Sequence, residues 1–175
     1  MSYVPLPVET FSKSVKFIEA PHAFIHNGET FRYSNPVTLG SGASQDYLIT
    51  TPVSGKSMHL ILSIDGVAVT SFFVYEASDR TGTTLQTYYN ANRNSANPST
   101  ATIHKGTSGG TTDGTLISSY ASGTSTNQSK GSSNVSHDSE WVLKQNTKYL
   151  IRITSGTAGN LCNLYLEWYE HVSGT

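Results

Sequence analysis

The sequence predicts an all-β fold: an antiparallel β-sandwich, jelly-roll-like, preceded by an extended N-terminal arm. The first observation is alternation. Tyr149, Ile151 and Ile153 share one face against Arg152 and Thr154, and Cys162, Leu164, Leu166 and Trp168 share one face against Asn163, Tyr165, Glu167 and Tyr169. Period-two runs of β-branched and aromatic residues mark strands with one buried face. Joined through the Gly-containing stretch 156–160, these two runs predict a β-hairpin. The second observation is punctuation. Apolar residues elsewhere come in short runs between Gly, Pro, Asn and Asp, about nine or ten strands in all, and no stretch has a helical period. The third is composition. Hydrophobic residues make up 36% and charged residues 13%, the balance being Ser, Thr, Asn and Gly. Disordered chains carry higher net charge and fewer aromatics.

A chain of 175 residues is long enough for one domain with its own core. Residues 1–20 form the arm and residues 21–175 the sandwich, with long Gly/Ser/Thr-rich loops over about 105–139. In the arm, Pro5 and Pro7 forbid helix and favour extended backbone, and Tyr3, Val4, Leu6, Val8 and Phe11 are apolar. Such an arm is either the first edge strand or a clamp on a neighbour, and we expect the clamp. Strands follow at 23–25, 30–33 and 37–39, with Asn27-Gly28 as a tight turn between the first two. Residues 46–51 form the next. Met58, Leu60, Leu62 and Ile64 then alternate toward Asp65-Gly66, and residues 68–76 return, which predicts a second hairpin. On the returning strand Phe72, Phe73, Val74 and Tyr75 are apolar on both faces, so a second cover, a partner subunit, is expected there. Residues 83–89, 100–104 and 115–121 complete the strands before the terminal hairpin. The predicted core is Leu60, Leu62, Ile64, Ile151, Ile153, Leu164, Leu166 and Trp168.

A search for chemistry yields no catalytic set and no cofactor. His22 and His26 share a face at i, i+4, but a metal needs further ligands, and the expectation is no metal site. Serines are abundant without a strained Gly-x-Ser-x-Gly turn. The acids are scattered over turns, loops and strand ends. Gly106-Thr107-Ser108-Gly109-Gly110 lacks the Lys and the helix of a phosphate loop. The triplets at Asn127 and Asn134 match the glycosylation pattern only as expected by chance in so polar a loop. If any cation binds, the loops around Asp113 or Asp138 offer it oxygen ligands. The one cysteine, Cys162, falls on the core face and reads as a small buried apolar residue. A net charge of -1 gives no electrostatic footprint for nucleic acid or anionic membrane, and no apolar run is long enough for a transmembrane helix. No leader-like apolar stretch opens the sequence, which implies folding in a cytoplasm.

Several segments resemble the capsid decoration, or cement, proteins of tailed bacteriophages. They are Phe73-Val74-Tyr75-Glu76 with Asp79-Arg80-Thr81-Gly82-Thr83-Thr84-Leu85, then Asn92-Arg93-Asn94-Ser95, Ile103-His104-Lys105-Gly106 and Asp113-Gly114-Thr115-Leu116. The longest runs from Trp141 through Ile153-Thr154 and resumes at Glu167-Trp168-Tyr169-Glu170-His171. The resemblance is one of overall pattern across about residues 70–171 and transfers no binding residue. It implies a structural virion protein, homotrimeric, assembled in the host cytoplasm. Such a protein sits on the outside of the head against the major capsid protein, where it stabilises contacts between capsomers. The residues expected to bind capsid or a neighbouring subunit are Tyr3, Val4, Pro5, Leu6, Pro7, Val8 and Phe11 of the arm, and Phe72, Phe73 and Val74. The competing expectation is a receptor- or glycan-binding module of a phage tail, fibre or surface, using Tyr165, Tyr169, Trp141 or the long loops as stacking platforms.

Overall fold

The computed structural model describes residues 20–123 and 140–172. The arm residues Tyr3 to Phe11 lie outside these, as do Asp138 and both glycosylation triplets. The elements are α1 (Ala20–His26), β1 (Thr30–Leu39), β2 (Ser44–Thr50), β3 (Ser57–Gly66), β4 (Thr70–Glu76), β5 (Thr81–Leu85), β6 (Tyr89–Asn90), β7 (Thr102–Ser108), β8 (Thr115–Ser122), β9 (Glu140–Leu143), β10 (Lys148–Ser155) and β11 (Asn160–His171).

Two antiparallel sheets pack face to face, in the orders β6-β1-β11-β3-β9 and β5-β7-β2-β10-β4-β8. Setting aside β5, β6 and β7, eight strands remain, paired first with last (β1 with β11), second with seventh (β2 with β10), third with sixth (β3 with β9) and fourth with fifth (β4 with β8). That nested pairing is the jelly-roll arrangement. The β5–β7 insertion extends both sheets at the β1/β2 edge, while β8 and β9 form the opposite edge.

The core matches the parity of the sequence. Leu60, Ile64, Ile151, Ile153, Leu164, Leu166 and Trp168 are buried between the sheets, and Leu62 packs partly buried against them. Cys162 is buried, and burial pushes its thiol pKa up, which makes it unreactive.

The pairing differs from expectation. Neither predicted hairpin forms: β3 and β4 lie in different sheets, and so do β10 and β11. Asp65 and Gly66 still belong to β3, opposite Asn163 and Cys162, before the chain crosses to the other sheet. A Cβ at Gly66 would lie 2.0 Å from the Thr70 hydroxyl, so this glycine serves the crossing. The buried Asn160 stitches the two crossings together. Its side chain accepts from the Ala68 amide at 2.9 Å and donates to the Val69 carbonyl at 3.2 Å and the Thr70 hydroxyl at 2.8 Å.

Two further expectations change. Residues 23–25 are not a strand but part of α1. Pro21 is tolerated in the first turn, where no amide donor is needed. Gly28, at φ 72°, ends the helix with bonds from its own amide to Ile25 and from Glu29 to Phe24, a Schellman motif. The strand expected over 83–89 divides into β5 and β6, one in each sheet. In contrast β1 runs unbroken through Pro36, because beyond Arg32 its second side faces no described strand.

Candidate interaction surfaces

The β4 strand holds three of the residues expected to make contacts, and the structure divides them. Phe72 and Val74 point inward, and Phe73 lies half-buried on the outer face. Phe72 and Val74 line a cavity of about 260 Å³ between the sheets, with Leu62, Ile64, Ser118, Ser119, Tyr120 and Trp141. The cavity lies where β8 and β9 end their sheets. Tyr120 stacks on Phe72 at 5.7 Å between ring centroids and is half exposed. On the outer face Phe73 stacks on Tyr75 at 6.3 Å, and the Arg152 guanidinium lies 5.9 Å from the Tyr75 ring. The same edge exposes Leu116 and Val142.

A second cluster covers the outer face of the five-stranded sheet. Phe24 of α1 stacks on Tyr169 at 4.4 Å and on His171 at 5.4 Å, and His59 stacks on Tyr169 at 4.5 Å. The Tyr169 hydroxyl donates to Glu140 at 2.6 Å, His59 Nδ1 also meets Glu140, and His59 Nε2 lies 2.8 Å from His171 Nε2. Burial and the Glu140 carboxylate together push the Tyr169 hydroxyl pKa up. Burial raises the Glu140 pKa, but the hydrogen bonds from Tyr169 and His59 outweigh it and hold the carboxyl below its ordinary value. Tyr169 is thus committed to protein rings rather than offered as a sugar platform. Tyr165 donates its hydroxyl to Glu167, and Trp141 is a half-buried wall of the cavity.

The remaining polar groups fasten loops. Arg152 reaches Asp46 by two bonds of 2.7 and 2.9 Å and Asp113 at 2.6 Å, and Arg80 reaches Asp113 at 2.8 Å. These bonds, Arg152 first, hold the Asp113 carboxyl pKa down against burial. Both Asp113 oxygens therefore face guanidinium groups, which leaves a poor site for the cation considered above. Asp79 caps the Thr111 and Thr112 amides and fixes the Gly-rich turn. Glu170 is fully buried and accepts from the Thr100 amide and hydroxyl, the Ala101 amide, the Trp168 indole and Ser99. Burial raises its pKa, and the hydrogen bonds from Ser99, Thr100 and Ala101 more than reverse that.

His22 and His26 do come together, 2.9 Å apart at Nε2 on the exposed side of α1. Among the described residues no group of three or more His, Cys, Asp or Glu is arranged to hold a metal ion. Sequence reasoning missed α1, the Glu170 anchor and the His59–Tyr169–His171 cluster. The anchor left a trace, since Glu170 shares the parity of Leu166 and Trp168.

Comparison with known proteins adds no relative: no protein-family model, curated protein or solved structure matches the chain. The class of protein is therefore defined by its own topology, an all-β antiparallel sandwich with jelly-roll strand order.

Proposed function

We propose that this chain is a capsid decoration, or cement, protein of a tailed bacteriophage, acting as a homotrimer on the outer surface of the head against the major capsid protein. The observation that carries the reading is β4. Its inner residues line an apolar cavity at an open edge, and its outer residues Phe73 and Tyr75 form a half-exposed aromatic pair. Together with exposed Leu116, Tyr120 and Val142 they make one edge of the sandwich suited to a protein partner. The sequence resemblance supplies the partner's class, since jelly rolls serve many functions and fold alone does not choose among them. A cement protein needs no single strong contact. About 800 Å² per partner makes a standard interface, and three linked sites multiply the effective affinity by about 10² to 10⁴.

The test is binding to purified heads stripped of decoration. Sedimentation equilibrium should give a trimer, and electron microscopy should place it where capsomers meet. Phe73→Asp should abolish head binding while leaving the melting temperature within a few degrees. Heads that bind the variant as well as the parent would remove β4 from the contact. Absence of the protein from intact heads, with binding to a glycan array, would replace this reading by the receptor-binding one.

A further inference from the structure

The room beside β4 follows from the sequence of its neighbour β8. Tyr120 pairs with Phe72 across the two strands and Ser118 pairs with Val74, so all four positions share the inner face. Tyr120 fills its position with a ring, tilted 8° from the plane of Phe72. At Ser118, and at Ser119 beside it, only a hydroxymethyl group is offered to the space between the sheets. Packed sheets stand about 10 Å apart, a span that serine does not cover. Facing these positions are Leu62 and Ile64 of β3 and Trp141 of β9. The cavity of about 260 Å³ is what remains between them. A second void of about 10 Å³ shares the walls Leu62, Val74 and Trp141 and reaches the buried side chains of Leu60 and Ile151.

Two properties decide what such a space holds. The first is polarity. Among the described walls no side chain is charged. The buried side-chain atoms without a partner belong to Thr30, His104 and Thr157, none of which lines the cavity. No orphaned polar atom in these walls therefore calls for water, and apolar cavities stay dry. The second is size. Native interiors leave few voids larger than a water molecule, and an apolar cavity of about 150 Å³ already binds benzene. This one is larger, and the rings of Phe72, Tyr120 and Trp141 offer a guest aromatic edges and faces. An ion entering it would give up its hydration without gaining a charged partner.

We propose that the cavity is a binding site for an uncharged aromatic small molecule of up to two fused rings, which enters at the β8/β9 edge past the half-exposed Tyr120. The site belongs to the single chain and does not depend on the capsid reading above. Leu62, Ile64 and Val74 hold the guest by contact, and Ser118 and Ser119 supply the room by being small.

The experiment is a nuclear magnetic resonance titration of the methyl-labelled full chain with indole as the probe. Indole should shift the Leu62, Ile64 and Val74 methyl signals saturably, half-maximally at or below about 1 mM, and give Overhauser contacts to the same methyl groups. Ser118→Leu fills the space, and should weaken indole binding at least about tenfold while leaving the melting temperature unchanged or higher. Benzoate, a smaller ring carrying a carboxylate, should leave those signals in place. Methyl signals that never saturate, or Overhauser contacts only to residues elsewhere, would overturn the site. A folded Ser118→Leu variant that binds indole as the parent does would overturn it as well, and benzoate binding as tightly as indole would overturn the ligand class. Should Ser118→Leu fail to fold, the Overhauser contacts on the parent chain decide alone.

Discussion

The two edges of the sandwich are built on opposite principles. At the β1/β2 edge the insertion β5–β7 lengthens both sheets, and most polar groups there are paired, with Thr30 Oγ1 and His104 Nδ1 buried without a partner. Glu170 anchors residues 99–101, and Arg152 ties Asp46 to Asp113. Thr107 also donates to Asp46 at 2.9 Å. At the β8/β9 edge polar matching is confined to the outer face, where Glu140 meets His59 and Tyr169, and to Glu76, which accepts from Lys144 and Tyr149, while between the sheets an apolar cavity opens beside exposed Leu116, Tyr120 and Val142. Buried polar groups favour partners within the chain, and at the first edge these bonds fix residues 99–101 and the turn carrying Asp113. Apolar surface has no such demand and can be covered by any shape that fits it. The difference separates an edge held by its own polar contacts from one whose apolar surface the described residues leave partly uncovered.

The contrast can be broken most directly in the core that both edges share. Leu166 is fully buried, and Leu166→Ala should cost about 2–5 kcal/mol in chemical denaturation, from lost transfer energy plus a cavity. A cost under about 0.5 kcal/mol would mean the sheet faces are inverted. Next in size is the anchor of the β1/β2 edge. Glu170→Gln places an amide nitrogen against donors that now face a carboxylate, and should cost about 1–3 kcal/mol. The carboxyl pKa lies below its unfolded value, so its stabilisation is complete above about pH 4.3 and is lost as pH falls through the folded value. Thermal melts of the two proteins should converge in acid, and a constant difference from pH 7 to pH 3 would contradict the anchor. The open edge should respond less. Leu62 already faces a cavity, so Leu62→Ala removes apolar contact without creating the void, at about 1 kcal/mol. A loss equal to that at Leu166 would show that this edge is as tightly packed as the centre.

Side-chain parity was legible in the sequence because a strand's period is local. Leu60, Ile64, Ile151, Leu164 and Trp168 could be assigned to the core without knowing any partner. Strand pairing was not legible. Asp65-Gly66 has the same chemistry in a hairpin turn as in a crossing between sheets, and what decides is its pairing with Asn163 and Cys162, about a hundred residues away. Helix α1 was missed because seven residues show too little periodicity, although Pro21 near its start and Gly28 just past its end are start and stop signals. Of the candidate contacts, the double-sided apolarity of Phe72, Phe73 and Val74 was legible, but it could not show that Phe72 and Val74 line a cavity. The His59–His171 contact depends on the β3–β11 register, which spacing alone does not contain.

The smallest expected effect tests the β1/β2 edge at its surface. Asp113 bridges Arg152 and Arg80, and the three side chains are 22%, 25% and 29% exposed. Partly exposed ion pairs are worth about 0–1 kcal/mol, so Asp113→Asn should cost no more than about 1 kcal/mol at pH 7. The bridge holds the Asp113 carboxyl pKa below its unfolded value of about 3.9. Its contribution is therefore full above that value and disappears as pH falls through the folded one, so the parent and Asp113→Asn should converge in acid. Salt at about 1 M should shrink the neutral-pH difference as well. Arg152 keeps its paired bonds to Asp46 in the variant, so the β2–β10 pairing should be untouched and only the turn carrying Gly109 and Gly110 should gain exchange. A cost above about 2 kcal/mol, insensitive to pH and salt, would show that Asp113 acts through packing. The two edges would then differ in chemistry alone and not in how firmly they are built.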